Sequence, residues 1–419
     1  MSAGAKWWKV AAVWFARIIT GVTFILSGWS KAVDPHGFVF KIEEYLNVWG
    51  LSDIIPVDIV LIGAVGLSLF ELITGILLLT GSLRRSAPIC GLAMMAGMLP
   101  LTAYIVIAEP VADCGCFGDL MVISNTATFV KNIIITALLI VALIWRKAAT
   151  PLYRPGLQWL VIVITAIYGI VIATIGWQFQ PVVDFRPYGT GRSLVSIEDE
   201  NIEQPEPGYI YAKDGEEREF PMSALPDSTW TFVRPSAAAA EEAVAGIAVF
   251  DSDGNDVAPD LFNPEYCDSA MLVLAVTEPG IGNLTRSRLA NEVYDYATDH
   301  GVAMVGIVAL SGETLQQWIE LANPRYEVFS ASDTSLKELV RGSVGLVYLK
   351  DGKVTWKRNF ATISPDFLND SAPFENMKIV DDGHVAYWLS GTYILGMLVL
   401  AGISTLTKIN IRPRRKKQA

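Results

Sequence analysis

Six long apolar runs constrain this chain more than any other feature of its sequence. A helix that crosses a bilayer needs about 20 consecutive, mostly apolar residues. Six stretches meet that requirement, at residues 8–30, 58–80, 87–108, 125–145, 157–178 and 385–406. The chain is also 52% hydrophobic and only 18% charged, whereas soluble domains carry about a quarter charged residues. We therefore predict an α-helical membrane bundle with six spans.

Basic residues fall in every second loop of this plan. They are Lys6 and Lys9, then Arg84 and Arg85, then Arg146, Lys147 and Arg154, and finally a cluster at 412–417. Short cytoplasmic loops are enriched in Lys and Arg, so we predict a protein of the bacterial inner membrane with both termini in the cytoplasm. The loops 33–57 and 109–124 and the segment 180–384 would then be periplasmic. Membrane lipids are expected partners and nucleic acid is not, because the only basic cluster directly follows an apolar run.

Composition divides the chain into five predicted segments. Residues 1–148 form a four-helix membrane domain, 149–180 hold a fifth span, and 181–244 are a polar extracytoplasmic region. Residues 245–384 form an extracytoplasmic α/β domain, and 385–419 hold the sixth span and a basic cytoplasmic tail. The stretch 38–49 mixes aromatic and charged residues and is too short to span, so it predicts an amphipathic helix at the outer interface.

Charged residues inside the spans need partners, because an unpaired charge in hydrocarbon is costly. Arg17 and Glu71 lie at comparable depths when each is counted from the cytoplasmic end of its run. We predict that they form a buried ion pair, with a proton or quinone-headgroup role as the alternative. Lys31 and Lys131 lie near the outer ends of their runs, where a lysine can extend to the headgroups.

Two cysteines with a single glycine between them carry the most specific chemistry in the sequence. Cys114 and Cys116 lie in the predicted periplasmic loop 109–124, an oxidising compartment. A disulfide between them would close a very small, strained ring and would be readily reduced. Three interpretations remain open at this point: a redox-active pair, a structural disulfide and a metal site. Asp113 and Asp119 are expected to raise the pKa of the thiols.

The remaining cysteines and the histidines add little to this pattern. Cys90 lies near the cytoplasmic end of the third run, and we predict that it is an ordinary buried thiol. Cys267 lies in the extracytoplasmic domain, where it would be a relay for the pair or an unpaired structural cysteine. We predict no metal site, because the three histidines, His36, His300 and His384, show no ligand spacing.

These motifs together carry a resemblance to a known family. The stretch from Arg17 to Pro35, Glu71 in the second run, and the Cys-Gly-Cys-Phe-Gly loop at 114–118 resemble the DoxX/MauE family of four-helix membrane proteins over residues 8–146. Segments at 184–188 and 228–233 further resemble the long DoxX proteins of Bacteroidetes. The resemblance implies redox maturation of periplasmic proteins, with Cys114 and Cys116 as the catalytic residues. The related quinone-coupled disulfide-forming proteins use a second cysteine pair or a Cys-x-x-Cys motif that this chain lacks.

The segment 245–360 resembles a thioredoxin-like domain. Strands are predicted at 271–276, 303–308 and 326–329, helices at 284–299, 313–322 and 333–340, and a hairpin at 345–356. Residues 277–283 stand where a thioredoxin carries its Cys-x-x-Cys motif, and Val344 stands where it carries its cis-proline. Without these features we predict a binding module rather than a second redox centre.

Two functions from different classes follow from the sequence. The first is a thiol-disulfide oxidoreductase, in which Cys114 and Cys116 exchange electrons with a periplasmic client or thiol-redox protein and a membrane quinone takes the electrons. The second is a non-enzymatic membrane scaffold or assembly factor, whose outer domain binds the client while the cysteines only hold their loop.

Overall fold

A computed structural model describes residues 7–52, 54–111, 113–195, 208–213, 216–221, 230–235, 246–262, 270–280, 286–363, 368, 374 and 384–415. The chain forms two compact units. The first comprises Met1–Phe185 and Ile379–Ala419, and the second comprises Arg186–Lys378. Each unit is described by itself below.

The first unit consists of long helices. They are α1 (Trp7–Val33), α2 (Pro35–Val48), α3 (Val57–Thr80), α4 (Ser86–Ala108), α5 (Asn125–Ile144), α6 (Gln158–Gln178) and, after the second unit, a last helix at His384–Arg415. All but α2 are long and apolar enough to cross a membrane, which confirms that the six predicted apolar runs are helices of spanning length. Many large apolar side chains on the outside of the bundle stay exposed, such as Ile62 and Ile107, and a bilayer would cover them. The chain is thus a multi-pass membrane protein.

The short stretch predicted to be amphipathic is helical, and α2 begins at Pro35. Asp34 caps it by accepting a hydrogen bond from the amide of Gly37 at 2.9 Å, which satisfies one of the unpaired amides at a helix start. Val39 and Leu46 of α2 pack against Val60 and Ala64 of α3. This contact fixes α2 beside the first two turns of α3.

Glycines let α1 and α3 approach closely, as small residues do between membrane helices. A Cβ on Gly28 would lie 2.5 Å from the backbone nitrogen of Leu72 and 2.7 Å from the carbonyl oxygen of Ser68. A Cβ on Gly21 would lie 2.9 Å from the nitrogen of Leu79. These contacts set the register of the antiparallel pair.

We expect Gly28→Ala to destabilise the bundle by about 1–3 kcal/mol, because the added methyl meets backbone that cannot move aside. The measurement is the thermal unfolding midpoint of the purified full-length protein in detergent. Gly66→Ala on α3 is the matched control, because nothing lies within 4 Å of a Cβ there. Equal midpoints for the two variants would contradict the close approach.

The second unit contains two sheets. A three-stranded antiparallel sheet has the order β2-β1-β3, with β1 at Gly208–Lys213, β2 at Glu216–Pro221 and β3 at Thr231–Pro235. A six-stranded sheet has the order β4-β7-β6-β5-β8-β9. Its strands are β4 (Val249–Phe250), β5 (Ala270–Val276), β6 (Ala303–Val308), β7 (Glu327–Ala331), β8 (Val344–Lys350) and β9 (Lys353–Asn359). Strands β5, β6 and β7 are parallel, and β4, β8 and β9 pair antiparallel to their neighbours.

Helices cover the larger sheet. They are α7 (Ala258–Leu261), α8 (Ser287–Asp299), α9 (Gly312–Ala322) and α10 (Asp333–Leu339); the last membrane helix is therefore α11. In β5, Leu272 and Leu274 join one apolar cluster and Val273 joins the other. A strand that is buried on both faces consists of apolar residues throughout. The strand could be predicted from the sequence because of this continuous apolar run. The predicted strands, helices and hairpin of this domain are confirmed, whereas its thioredoxin-like assignment stays a prediction.

Candidate functional site

The loop between α4 and α5 brings the two predicted redox cysteines into contact. Cys114 Sγ and Cys116 Sγ lie 3.0 Å apart, and neither is disulfide-bonded. A disulfide bond is about 2.05 Å long, so a shift of about 1 Å would bring the two sulfurs to bonding distance. Cys114 is 7% exposed, and Cys116 is only partly exposed.

Local contacts explain why the loop adopts this shape. Gly115 has a φ of +68°, a conformation that side chains other than glycine rarely tolerate. Its amide donates to Asp113 Oδ2 at 2.8 Å, and Lys41 Nζ donates to Asp113 Oδ1 at 2.7 Å. The Lys41 chain lies directly against Gly115, because a Cβ there would be 2.6 Å from Lys41 Cγ.

A tyrosine from α2 holds the first cysteine. Tyr45 Oη donates a hydrogen bond to the carbonyl oxygen of Cys114 at 3.2 Å. Burial raises the pKa of Tyr45, so its hydroxyl keeps the proton that it donates. Helix α2 therefore fixes the loop on one side, through Lys41 and Tyr45.

On the membrane side, the second cysteine contacts a buried polar cluster. Ser27 Oγ lies 2.7 Å from the carbonyl oxygen of Cys116 and 2.7 Å from Glu71 Oε2. Lys31 Nζ donates to both carboxylate oxygens of Glu71 at 2.9 Å. Lys31 and Glu71 are 5% and 4% exposed. A buried ion pair of α1 and α3 thus reaches the cysteine loop through one serine.

A narrow cavity of about 30 Å³ lies beside Cys116. Its walls include the buried cluster, Lys131 and Asn132 of α5, and Met94, Met95 and Met98 of α4. Lys131 Nζ lies 4.3 Å from the centre of the Phe117 ring, a cation–π contact. The cavity has room for about two water molecules.

The two thiols differ in acidity. The pKa of Cys116 is lowered to about 7, and the hydrogen bond from Cys114 is the largest cause. Burial opposes this shift, while the positive charges of Lys131 and Lys31 add to it. The same hydrogen bond, together with burial, raises the pKa of Cys114. The expectation that Asp113 and Asp119 raise the pKa of the thiols is therefore wrong for Cys116, whose pKa is lowered by the hydrogen bond with Cys114 and by the charges of Lys131 and Lys31.

The predicted ion pair between Arg17 and Glu71 is wrong. Glu71 pairs with Lys31, and the terminal nitrogens of the buried Arg17 have no hydrogen-bond partner among the described residues. The helix register explains this, because Gly28 faces Ser68 and Leu72 whereas Gly81 faces Arg17. Arg17 and Lys31 are 14 positions apart, or about 21 Å along the helix. Because Glu71 contacts Lys31, Arg17 is too far along α1 to reach it.

The prediction that Lys31 extends to the headgroups is also wrong. Lys31 is buried in its ion pair, and Lys131 lines the cavity beside Cys116. Lys31 is directed into the bundle toward Glu71, whereas the half-buried Lys131 lies over the Phe117 ring of the cysteine loop. No charge pattern in a single helix could have shown this, because the partners come from other helices.

The other predicted site residues lie elsewhere. Cys90 is half-buried near the start of α4, and 18 further helical residues, or about 27 Å of rise, separate it from the end of α4. Cys267 lies outside the described residues. Within the parts of the chain that the structure describes, no group of three or more His, Cys, Asp or Glu side chains could hold a metal ion.

Comparison with known families matches the part of the chain that holds this site. Residues 9–146 match the family model of the methylamine utilisation protein MauE. The match covers 138 of the 419 residues, so this part of the multi-pass membrane protein is similar to MauE. Residues 206–237, which include β1 to β3, match a domain of unknown function, DUF8463. No curated protein and no solved structure matches the chain.

The MauE-like region contains every residue of the assembled site. Ser27, Lys31, Glu71, Cys114, Cys116 and Lys131 all fall within 9–146. Sequence analysis identified the cysteines and Glu71 and overlooked Ser27 as well as the roles of Lys31 and Lys131. Serine is common in membrane helices, so it gives no signal until the facing helix is known.

Proposed function

We propose that this MauE-like protein carries out thiol-disulfide exchange on the periplasmic side of a bacterial inner membrane, in the redox maturation of periplasmic proteins. The observation that carries the proposal is the contact between Cys114 and Cys116 at 3.0 Å, with one thiol made acidic and the other not. Structural cysteines have no need for such an asymmetry, whereas a catalytic pair uses it. The alternation of basic loops supports the periplasmic position.

The proposed exchange balances between the pair and a client dithiol. In the oxidised pair, a client thiolate attacks the sulfur of Cys114, and Cys116 leaves as a thiolate because the more acidic thiol is the better leaving group. The second client thiol, as its thiolate, then attacks the client sulfur of this mixed disulfide and releases Cys114. Two electrons pass from the client to the pair. Of the two client protons, one binds Cys114 and the other goes to Cys116 or to solvent.

A membrane quinone is the proposed final acceptor, but the cavity beside Cys116 does not fit its ring. Ligand pockets typically enclose about 300 Å³ or more, whereas this cavity is about 30 Å³. We therefore assign no quinone to the cavity and derive no step through it.

The second unit is proposed to bind the client. Its order of three parallel strands followed by two antiparallel ones supports the thioredoxin-like assignment. It offers no cysteine pair between β5 and α8 in the sequence, so binding rather than redox chemistry is the role we propose for it. Cys267 is a relay for the pair or an unpaired structural cysteine, and because the exchange proposed here needs only Cys114 and Cys116, the experiment below is done without it.

The redox state of the pair in the membrane tests the proposal. In a Cys90→Ser/Cys267→Ser background, cells are quenched with acid and free thiols are tagged with a mass-labelled maleimide before and after reduction. We expect a mixture of dithiol and disulfide that shifts toward dithiol when quinone is depleted. A pair that is fully oxidised regardless of quinone, or two permanently free thiols, would instead favour the scaffold.

A further inference from the structure

The charged groups around Cys116 do not balance by themselves. The charged groups that line its cavity are Lys31 from α1, Glu71 from α3 and Lys131 from α5. On the outer side of the loop, Lys41 pairs with Asp113 and Glu44. Lys31 is neutralised by Glu71 at 2.9 Å. Two ammonium groups and one carboxylate thus leave one net positive charge in the cavity.

Lys131 is the source of this excess charge. Among the salt bridges of the described residues, none involves Lys131, and its ammonium group lies against the face of the Phe117 ring. An ammonium group in a membrane bundle is normally paired with an anion. In this cavity the one group that can supply the missing negative charge is the Cys116 sulfur as a thiolate.

We infer that Lys131 stabilises the Cys116 thiolate of the reduced pair and thereby makes the Cys114–Cys116 disulfide an oxidant of client thiols. The inference rests on the proposed function and adds to it the direction of electron flow. A disulfide whose reduced form is stabilised by a thiolate is a strong oxidant. Lys131 does not react with the client itself. Its positive charge acts through Cys116, so it is a positioning residue.

The proton balance gives this inference a pH dependence. Cys116 has a pKa of about 7 in the folded protein, below the ordinary value of about 8.5. Below pH 7, reduction of the disulfide takes up two protons, one on each sulfur. Above pH 7 it takes up one, because Cys116 remains a thiolate. The extra stability of the reduced pair is therefore fully present above about pH 8.5, the ordinary pKa, and is lost as the pH falls through 7.

The experiment compares Lys131→Met and Lys131→Arg in the full-length detergent-purified protein, with Cys90 and Cys267 replaced by serine. The rate of alkylation by iodoacetamide is followed against pH, and the pair is equilibrated with glutathione buffers at pH 8. We expect Lys131→Met to shift the midpoint of the alkylation profile upward by about one unit or more. It should also lower the equilibrium constant for reduction of the disulfide by glutathione about fivefold to tenfold.

The conservative variant separates charge from packing. Lys131→Arg keeps the positive charge, so its alkylation profile and its glutathione equilibrium should both match those of the parent protein. Lys147→Met is the control, because it removes a lysine that lies beyond the other end of α5 and should change neither readout. A Lys131→Met profile like that of the parent would overturn the inference, as would equal shifts in Lys131→Met and Lys131→Arg.

The same experiment distinguishes this inference from the proposed function. If the parent pair equilibrates with glutathione but Lys131→Met changes neither readout, the proposed exchange function is supported and the role of Lys131 is contradicted. If the parent pair fails to equilibrate with glutathione at all, the proposed function itself falls, and the inference falls with it.

Discussion

Replacing either Cys114 or Cys116 with serine is expected to abolish disulfide transfer while leaving the protein abundant and folded. The parent protein, first oxidised with oxidised glutathione, should convert one equivalent of a reduced dicysteine peptide to its disulfide in a single turnover. Each serine variant should convert none, because the bond that accepts the two electrons needs both sulfurs. The peptide disulfide is quantified by mass spectrometry, and abundance by immunoblotting of membranes.

Serine is the appropriate replacement because it preserves the contacts that hold the loop. The carbonyl groups of residues 114 and 116 accept hydrogen bonds from Tyr45 and Ser27, and these involve backbone that the substitution leaves in place. A serine hydroxyl also retains a donor where the two thiols lie in contact. Cys90→Ser is the matched control and should transfer one equivalent. Loss of abundance in both loop variants, with transfer intact in the remaining protein, would identify a structural role instead.

The spans could be predicted from the sequence because each depends on local composition alone. A run such as 58–80 is apolar enough to be assigned without knowledge of its neighbours, and the structure has a helix at Val57–Thr80. Strand β5 was predictable for the same reason, since burial on both faces makes it apolar throughout. The cysteine pair was predictable because the two residues are separated by a single glycine, although their 3.0 Å contact also needs the positive φ of Gly115.

The partners of the buried charges could not be predicted, because they depend on the register between helices. Counting residues from the membrane surface places Arg17 level with Glu71, but the packing of Gly28 against Leu72 places Lys31 there instead. A shift of one helical turn changes every interhelical pair while the hydropathy of each helix remains the same. The acidity of Cys116 was missed for the same reason, since the lysines beside it come from α1 and α5.

Breaking the buried pair on one side is expected to be among the most destabilising single changes in the membrane unit. Glu71→Gln leaves the Lys31 ammonium without a carboxylate in a site where the lysine is 5% exposed. Removing one partner of a buried ion pair typically costs about 3–5 kcal/mol, because the remaining charge is uncompensated. The free energy of unfolding of the full-length protein, measured in mixed detergent micelles, should fall by about that amount.

The double variant Lys31→Met/Glu71→Gln should recover most of that loss, because it removes both charges together. Glu44→Gln is the matched control: it breaks a contact of Lys41 at 2.7 Å, but the Glu44 side chain is 40% exposed, so the cost should stay below about 1 kcal/mol. If the two single changes at Lys31 and Glu71 simply added in the double variant, the groups would not be coupled. Recovery in the double variant would instead show that Glu71 serves stability through Lys31, which leaves Lys131 as the uncompensated charge facing Cys116.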